Sequence, residues 1–432
     1  MYMHICIVGS GPSSFYTIQS LLKDIPDVKI DIFEKLPAPF GLVRYGVAPD
    51  HQKTKNIIKL FDRFLNNENI NFFGNVNIGK DLELNLLSEK YDAVILASGA
   101  SKDKKLNITG TDLPGFYGSG EFVGWYNGHP DFAHLNPDLS SENAVIIGNG
   151  NVALDCARLL AKNEHEFHGS DVTQYSMQTL LRSNIKNIYV IGRRGPSEAK
   201  FTIVELREML SLKNFSPVID FDKSNIEQFL LSENLDTKTK KNLEVLKGFK
   251  TELGEKNIIF KFLLTPSEVK GNKSVSEITF FKNALVDGKI KQTDSSMTIK
   301  TGLIISAIGY STDQIENLEL ESNKNFYKND NGFIKDNIFT TGWASSSSVG
   351  VIGTNKAGGT QISRKIADVV KSKKPSIGNF FKERLNKNNK KYISNFNWKK
   401  IDNNELKTAR PNFVREKMVD IDKIIELLED NS

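Results

Sequence analysis

The sequence predicts an α/β fold of two Rossmann-like, doubly wound domains, the first discontinuous and the second inserted into it. Three features carry this. A strand–glycine turn–helix–strand unit opens the chain, the same unit returns in its middle, and each copy is followed by a continuous apolar run. Such runs suit parallel strands covered on both faces.

The first unit begins with His4-Ile5-Cys6-Ile7-Val8, turns at Gly9-Ser10-Gly11-Pro12-Ser13-Ser14, continues as a helix over 15–22 and returns as Lys29-Ile30-Asp31-Ile32-Phe33, stopping at Glu34. The second runs from Asn143 to Ile147, turns at Gly148-Asn149-Gly150-Asn151-Val152-Ala153, and returns as Asn187–Ile191 before Gly192-Arg193-Arg194. Buried strands over 91–99 and 302–309 close the two halves. The predicted division is 1–105 and 310–432 for the first domain, with 106–309 as the second. Between them, 225–246 reads as helical, and 257–264 and 275–283 read as strands of a small antiparallel insertion turning at 270–273. A buried strand over 338–341, a Gly-rich turn and helix over 350–370, and a closing amphipathic helix over 422–428 complete the pattern.

Composition narrows the function. The 432 residues are 39% hydrophobic and 25% charged, a globular balance, and no apolar run approaches the roughly 18 residues a membrane crossing needs. Two cysteines in no CxxC setting exclude a disulfide scaffold, a four-cysteine iron–sulfur cluster and a dithiol centre; no metal is expected. The first strand starts at His4, leaving no room for a presequence in the chain as it stands, so a soluble intracellular protein or a mature form is expected. Net charge is +5, but Arg364 to Lys417 holds 16 Lys/Arg against 5 Asp/Glu, local +11. A solvated lysine-rich face, an acidic protein partner and nucleic acid are the readings of that segment.

The two turns lead to second strands that end differently. A pyrophosphate needs close backbone N–H donors and a helix N-terminus supplies them. Gly9 permits the tight turn, Gly11 lets the backbone approach, and Ser14 stands where the motif has its third glycine. Glu34, ending the second strand, suits the unphosphorylated ribose of FAD or NAD. In the second unit Gly148, Gly150 and Ala153 complete the turn, but Arg193 and Arg194 replace the acid; guanidinium groups there suit a 2′-phosphate, hence NADP(H). Two such sites imply hydride transfer between nicotinamide and flavin.

Longer stretches then become specific. Pro39 through His51 (PFGLVRYGVAPDH), Glu121 through Gly128 (EFVGWYNG), Gly150 through Asp155, Gly192-Arg193-Arg194-Gly195-Pro196, Phe201-Thr202-Ile203 with Glu205-Leu206-Arg207-Glu208-Met209, and Gly342-Trp343 with Gly350-Val351-Ile352 closely resemble the adrenodoxin reductase family of FAD-containing ferredoxin–NADP reductases. The resemblance spans nearly the full length and is weakest over 214–300. It implies that Gly9, Gly11, Pro12, Ser13, Glu34, Leu42 and Ile78 line an FAD site, with Trp343, Gly350, Val351 and Ile352 at its isoalloxazine end. It also implies that Asn149, Gly150, Asn151, Val152, Arg193, Arg194 and Glu205 bind NADP, with Gly350 touching its nicotinamide end. His51 and Asp155 look like the family's buried His–carboxylate couple beside the flavin, and Trp343 completes the catalytic set. The segment 344–349 lacks the Gly-Pro the family often carries before this glycine.

The implied activity is electron transfer from NADPH through FAD to an acidic [2Fe–2S] ferredoxin, steered by basic residues such as Arg207 and the 364–417 segment, with no nucleic acid and no integral membrane segment. A bacterial cytoplasmic enzyme is the expected setting, a mitochondrial matrix form the alternative. A disulfide reductase of the same architecture would need a proximal dithiol, an electron-input subunit of a larger complex would bring a cysteine-rich cluster region, and a nucleotide-sensing or nucleic-acid-binding protein would leave both complete turns surplus.

Overall fold

Strands buried on both faces build the protein around two mainly parallel sheets. In this computed structural model, which describes residues 3–232, 235–286, 289–315, 317–322, 325–346, 350, 352–370 and 380–429, Ile5 and Ile7 point into one apolar cluster and Cys6 and Val8 into another on the opposite face. Ala144 and Ile146 are divided from Val145 and Ile147 in the same way. A period of two with both faces buried is what a helix-covered parallel sheet requires.

The first sheet has six strands in the order Phe333–Lys335, Ile338–Thr340, Ala93–Leu96, His4–Val8, Lys29–Glu34, Ile70–Gly74. All neighbours pair in parallel except the edge strand Phe333–Lys335. The second sheet, fully parallel, runs Phe116–Gly118, Leu303–Ser306, Asn143–Ile147, Asn187–Ile191, Asn257–Lys261, Ser216–Asp220. In each, the strand before the glycine turn lies at the point where the chain order reverses, the crevice in which open α/β sheets bind ligands. An antiparallel ribbon of Lys102–Asp103 with Tyr310–Ser311 marks where the chain leaves the first sheet and returns to it.

One expectation is corrected here. Asn257–Lys261 belongs to the parallel second sheet, not to the antiparallel insertion, which is a three-stranded sheet of Leu264–Gly271, Val275–Val286 and Lys289–Lys300. Buried on both faces, Ile258, Ile259 and Phe260 form a short continuous apolar run whose partners its periodicity cannot name. The helical reading of 225–246 resolves into Lys223–Leu230 and Thr237–Lys247.

The C-terminal helices lie on the first sheet's side, with Trp398 of Asn395–Lys407 edge-on to Phe40 at 5.8 Å and beneath the Arg44 guanidinium at 5.3 Å. Beyond that helix the chain crosses to the second sheet's segment, where Val414 N–H donates to the Ser170 carbonyl and Arg410 to the Val172 carbonyl. Part of the basic segment is paired within the fold: Arg410 with Glu416, Arg415 with Asp402 and Glu405, and Lys417, which is buried, with Asp171. Among the described residues no helix is long and apolar enough to cross a membrane.

Candidate functional site

The two glycine turns repeat one another in their close contacts. Gly9 N–H donates to the Phe33 carbonyl at 2.7 Å and Gly148 N–H to the Ile191 carbonyl at 2.9 Å. Both glycines have positive φ, 103° and 145°, and a Cβ would lie 2.5 Å from the Ala97 oxygen in one and 2.3 Å from the Ala307 oxygen in the other, so only glycine fits. Gly11 and Gly150, by contrast, face open space: a Cβ on either would meet nothing within 4 Å. Each immediately precedes a helix, Pro12–Asp24 and Asn151–Ala161. Open backbone at a helix N-terminus is the shape a phosphate cradle takes, so both turns fit a dinucleotide pyrophosphate.

Around the first cradle, Glu34 is buried at 7% exposure, and its carboxylate accepts the Ser10 N–H at 2.9 Å, the Ser10 hydroxyl at 2.7 Å and the Leu36 N–H at 3.0 Å. It is thereby fixed at the strand end as an acceptor. Pro12 occupies the first helical turn, Ser13 is buried against Gly342, and Ile78 packs in the cluster of Val8 and Phe33. Leu42, 43% exposed, begins the short helix Leu42–Tyr45 after Gly41, which sits directly over Gly11. Ser14, in the place of the motif's third glycine, is fully buried.

At the far end, Trp343 stacks on Tyr310 with ring centroids 6.2 Å apart and planes 15° from parallel, and its carbonyl accepts the Thr312 hydroxyl at 3.3 Å. Tyr310 lies on the crossing ribbon, so the indole is tied to the junction between the two sheets. Gly350 and Ile352 lead into the helix Asn355–Val369; Val351 and residues 347–349 lie outside the described residues.

Around the second cradle, the Asn149 carbonyl accepts the N–H groups of Lys200 and Phe201, at 2.7 and 3.0 Å, and the Asn151 side chain accepts the Thr202 N–H at 2.7 Å. Among the described residues, the buried Asn149 Oδ1 has no hydrogen-bond partner, an orphan beside the open backbone of Gly150 that fits a ligand donor there. Val152 is partly buried against the second core. Arg193 and Arg194 are exposed at the end of the second strand; Arg194 has Glu198 at 3.7 Å.

His51 is where the structure departs most from expectation. Its Nε2 lies 2.9 Å from Glu208 Oε2 and 3.6 Å from Glu205 Oε2. Asp155 instead pairs with Arg158 at 2.8 Å, so the direct carboxylate partner of His51 is Glu208 and not Asp155. Arg158 organises the cluster: it reaches Asp50 at 2.9 Å, Asp155, Glu208 at 3.0 Å and Glu205 at 3.4 Å. Glu205 accordingly sits between His51 and Arg158. Glu205 and Glu208 come three residues apart on one helix, Ile203–Glu208, and so share a face; that spacing was the signal for Glu208.

Four acids around one guanidinium pull the titrations apart. Burial opposes charging His51, but its bond to Glu208 prevails and the net direction is upward, favouring imidazolium. Burial, and next Asp155, push Glu205 up to about 7 against the pull of His51 and Arg158. Asp155 is raised, by burial foremost. Asp50 goes the other way: burial is outweighed by Arg158 and Lys162, which hold it well below the usual carboxylate range. His51, Glu205 and Glu208 are close enough to hold a metal ion, but Arg158 already rests on the same two carboxylate oxygens and supplies the cation.

Comparison with known proteins fits this geometry. Residues 3–190 match the family model described as pyridine nucleotide-disulphide oxidoreductase. NADPH-ferredoxin reductase FprA of Mycobacterium tuberculosis is 39% identical over 371 residues, covering 82% of this chain and 81% of its own. The probable mitochondrial NADPH:adrenodoxin oxidoreductase of Schizosaccharomyces pombe is 36% identical and covers 98% and 95%. The solved structure of M. tuberculosis FprA in complex with NADPH superposes with a TM-score of 0.91 at 35% identity, covering 99% of both chains. The chain belongs to the adrenodoxin reductase family of NADPH–ferredoxin reductases.

Proposed function

We propose that this protein is an NADPH–ferredoxin reductase that uses FAD. The observation that carries the reading is the pair of open cradles, one ending in Glu34 and the other in Arg193 and Arg194, on sheets joined at the Tyr310–Trp343 junction. FAD, when bound, accepts an electron pair from NADPH and lets it leave one electron at a time, as an iron–sulfur acceptor requires.

Each residue set has a distinct task in this reading. The backbone N–H groups of Gly11 and Ser13 bind the FAD pyrophosphate at the helix start that Pro12 shapes, and Glu34 orients the adenosine ribose; Leu42, Ile78, Trp343, Gly350 and Ile352 line the remainder. Asn149 to Val152 bind the NADPH pyrophosphate, and Arg193 and Arg194 select its 2′-phosphate by charge-assisted, bidentate bonds. His51, held charged by Glu208, places a positive group at the cleft, and Arg158 keeps the surrounding carboxylates in place. We assign 1–105 and 310–432 to the FAD unit and 106–309 to the NADP unit, a division supported by the crossing ribbon.

The partner of this reading is an acidic [2Fe–2S] ferredoxin. Arg207 is exposed on the helix that carries Glu205 and Glu208, beside Val204 at 63% and Leu210 at 56% exposure, a cation set among exposed apolar side chains. Opposite charge there speeds encounter and makes it salt-dependent. The bacterial cytoplasm is the compartment we favour. The test is spectroscopic: the purified protein carries a yellow flavin spectrum that NADPH bleaches without oxygen and NADH bleaches poorly; a protein that neither holds nor takes up FAD would end the reading.

A further inference from the structure

The antiparallel insertion contributes no residue to either cradle, yet its first two strands and the residue before them grip the arginine turn. All three carbonyls of Gly192-Arg193-Arg194 are taken by it: Leu264 N–H donates to Gly192 at 3.1 Å, Asn283 Nδ2 to Arg193 at 3.0 Å, and Leu263 N–H to Arg194 at 3.2 Å. The Gly192 N–H donates to the Lys261 carbonyl at 2.8 Å, in the segment that leads into the insertion. Exposed arginines are fixed in space only as well as their backbone is, so these bonds set where the two guanidinium groups start.

Two irregularities coincide there. Leu263 has φ of 59°, a conformation a leucine rarely adopts, and it is held there by its bond to Arg194 and by the Asn283 N–H, which donates to its carbonyl at 2.7 Å. Strain of this kind persists only where surrounding bonds over-determine it, and it gathers at functional sites. The pairing of strand Val275–Val286 with Lys289–Lys300 also breaks register between Phe281 and Asn283. Such breaks re-aim a side chain. The buried Asn283 amide is held from behind by Thr265, whose hydroxyl accepts from Nδ2 at 2.8 Å.

We propose that Asn283 is a positioning residue for coenzyme choice: through the Arg193 carbonyl it holds the arginine pair in register with the 2′-phosphate of NADPH. This rests on the assignment of Arg193 and Arg194 to that phosphate. NADH lacks the group, so its binding is indifferent to Asn283.

The test compares Asn283→Leu with Arg193→Ala/Arg194→Ala in the FAD-loaded protein. Expected for Asn283→Leu is a roughly 10-fold rise in KM for NADPH, from the lost bond that fixes the Arg193 carbonyl, with kcat and the NADH KM unchanged. By calorimetry, adenosine 2′,5′-bisphosphate weakens by a similar factor while 5′-AMP does not. Asn283→Ser, which shortens the side chain on the same strand, reads the same discrimination if Asn283→Leu does not fold. If the double arginine variant loses its NADPH preference but the Asn283 variants keep it, or if they weaken both nucleotides equally, the positioning role is refuted. If the arginine variant itself keeps the preference, the 2′-phosphate assignment fails and the proposal falls with it.

Discussion

Asp171 is the residue whose loss should be felt most, because it is shared by two buried lysines from distant parts of the chain. Lys55 Nζ lies 2.7 Å from its Oδ1 and Lys417 Nζ 3.1 Å from its Oδ2, and all three side chains are at most 6% exposed. Lys55 follows the first sheet's cradle, Asp171 belongs to the second sheet's segment and Lys417 to the C-terminal crossing, so one carboxylate ties three parts together. Asp171→Asn leaves two buried lysines facing each other without a counter-charge, where burial already pulls both pKa values down. Removing one partner of a buried ion pair costs about 3–5 kcal/mol, around three powers of ten in the folding equilibrium. Lys417→Met leaves a one-to-one Lys55–Asp171 pair and loses the bridge to Asp171 together with the 3.0 Å bond to the Asn127 carbonyl, for about 1.5–3 kcal/mol. Burial works to raise the Asp171 pKa, but Lys417 and Lys55 outweigh it and hold the carboxyl down at about 2. A depressed carboxylate stabilises the fold above the unfolded value near about 3.9 and loses that contribution as pH falls towards 2. Urea unfolding followed by tryptophan fluorescence at neutral pH and across the acid range measures both effects. A variant Asp171→Asn within about 0.5 kcal/mol of the parent, or less harmful than Lys417→Met, would refute the shared-carboxylate reasoning.

Three further outcomes are expected. Glu208→Gln removes the contact that raises the His51 pKa, so the pH–rate profile of NADPH oxidation shifts towards acid; an unmoved profile would show that His51 does not govern it. Trp343→Ala breaks the stack on Tyr310 and should release FAD several-fold faster on dilution, read as recovered flavin fluorescence; unchanged retention and turnover would take Trp343 out of the flavin site. Arg207→Glu should slow ferredoxin reduction several-fold at low salt while ferricyanide reduction is untouched, and equal effects on both acceptors would remove the steering role.

The legible part of the fold is the local part. Each βαβ unit is contiguous, so Gly9, Gly11, Glu34, Gly148, Gly150 and the arginine pair could be read in order. His51 and its acids were different. Their meeting depends on how the two sheets sit against each other, 157 positions apart in the chain for His51 and Glu208, and a sequence gives the residue types without the pairing. Arg158 escaped notice because a lone arginine on a helix reads as surface, whereas here it is the buried centre of four carboxylates. In the basic C-terminal segment, charge counting sees sixteen cations but not that Arg410, Arg415 and Lys417 are paired with acids of the fold.

The most direct measurement is cytochrome c reduction by the FAD-loaded protein with and without an acidic [2Fe–2S] ferredoxin. The account predicts strong stimulation by the ferredoxin, fed by NADPH in preference to NADH and falling as salt rises. Absence of stimulation at every salt concentration, with the flavin still bleached by NADPH, would contradict the ferredoxin as its acceptor.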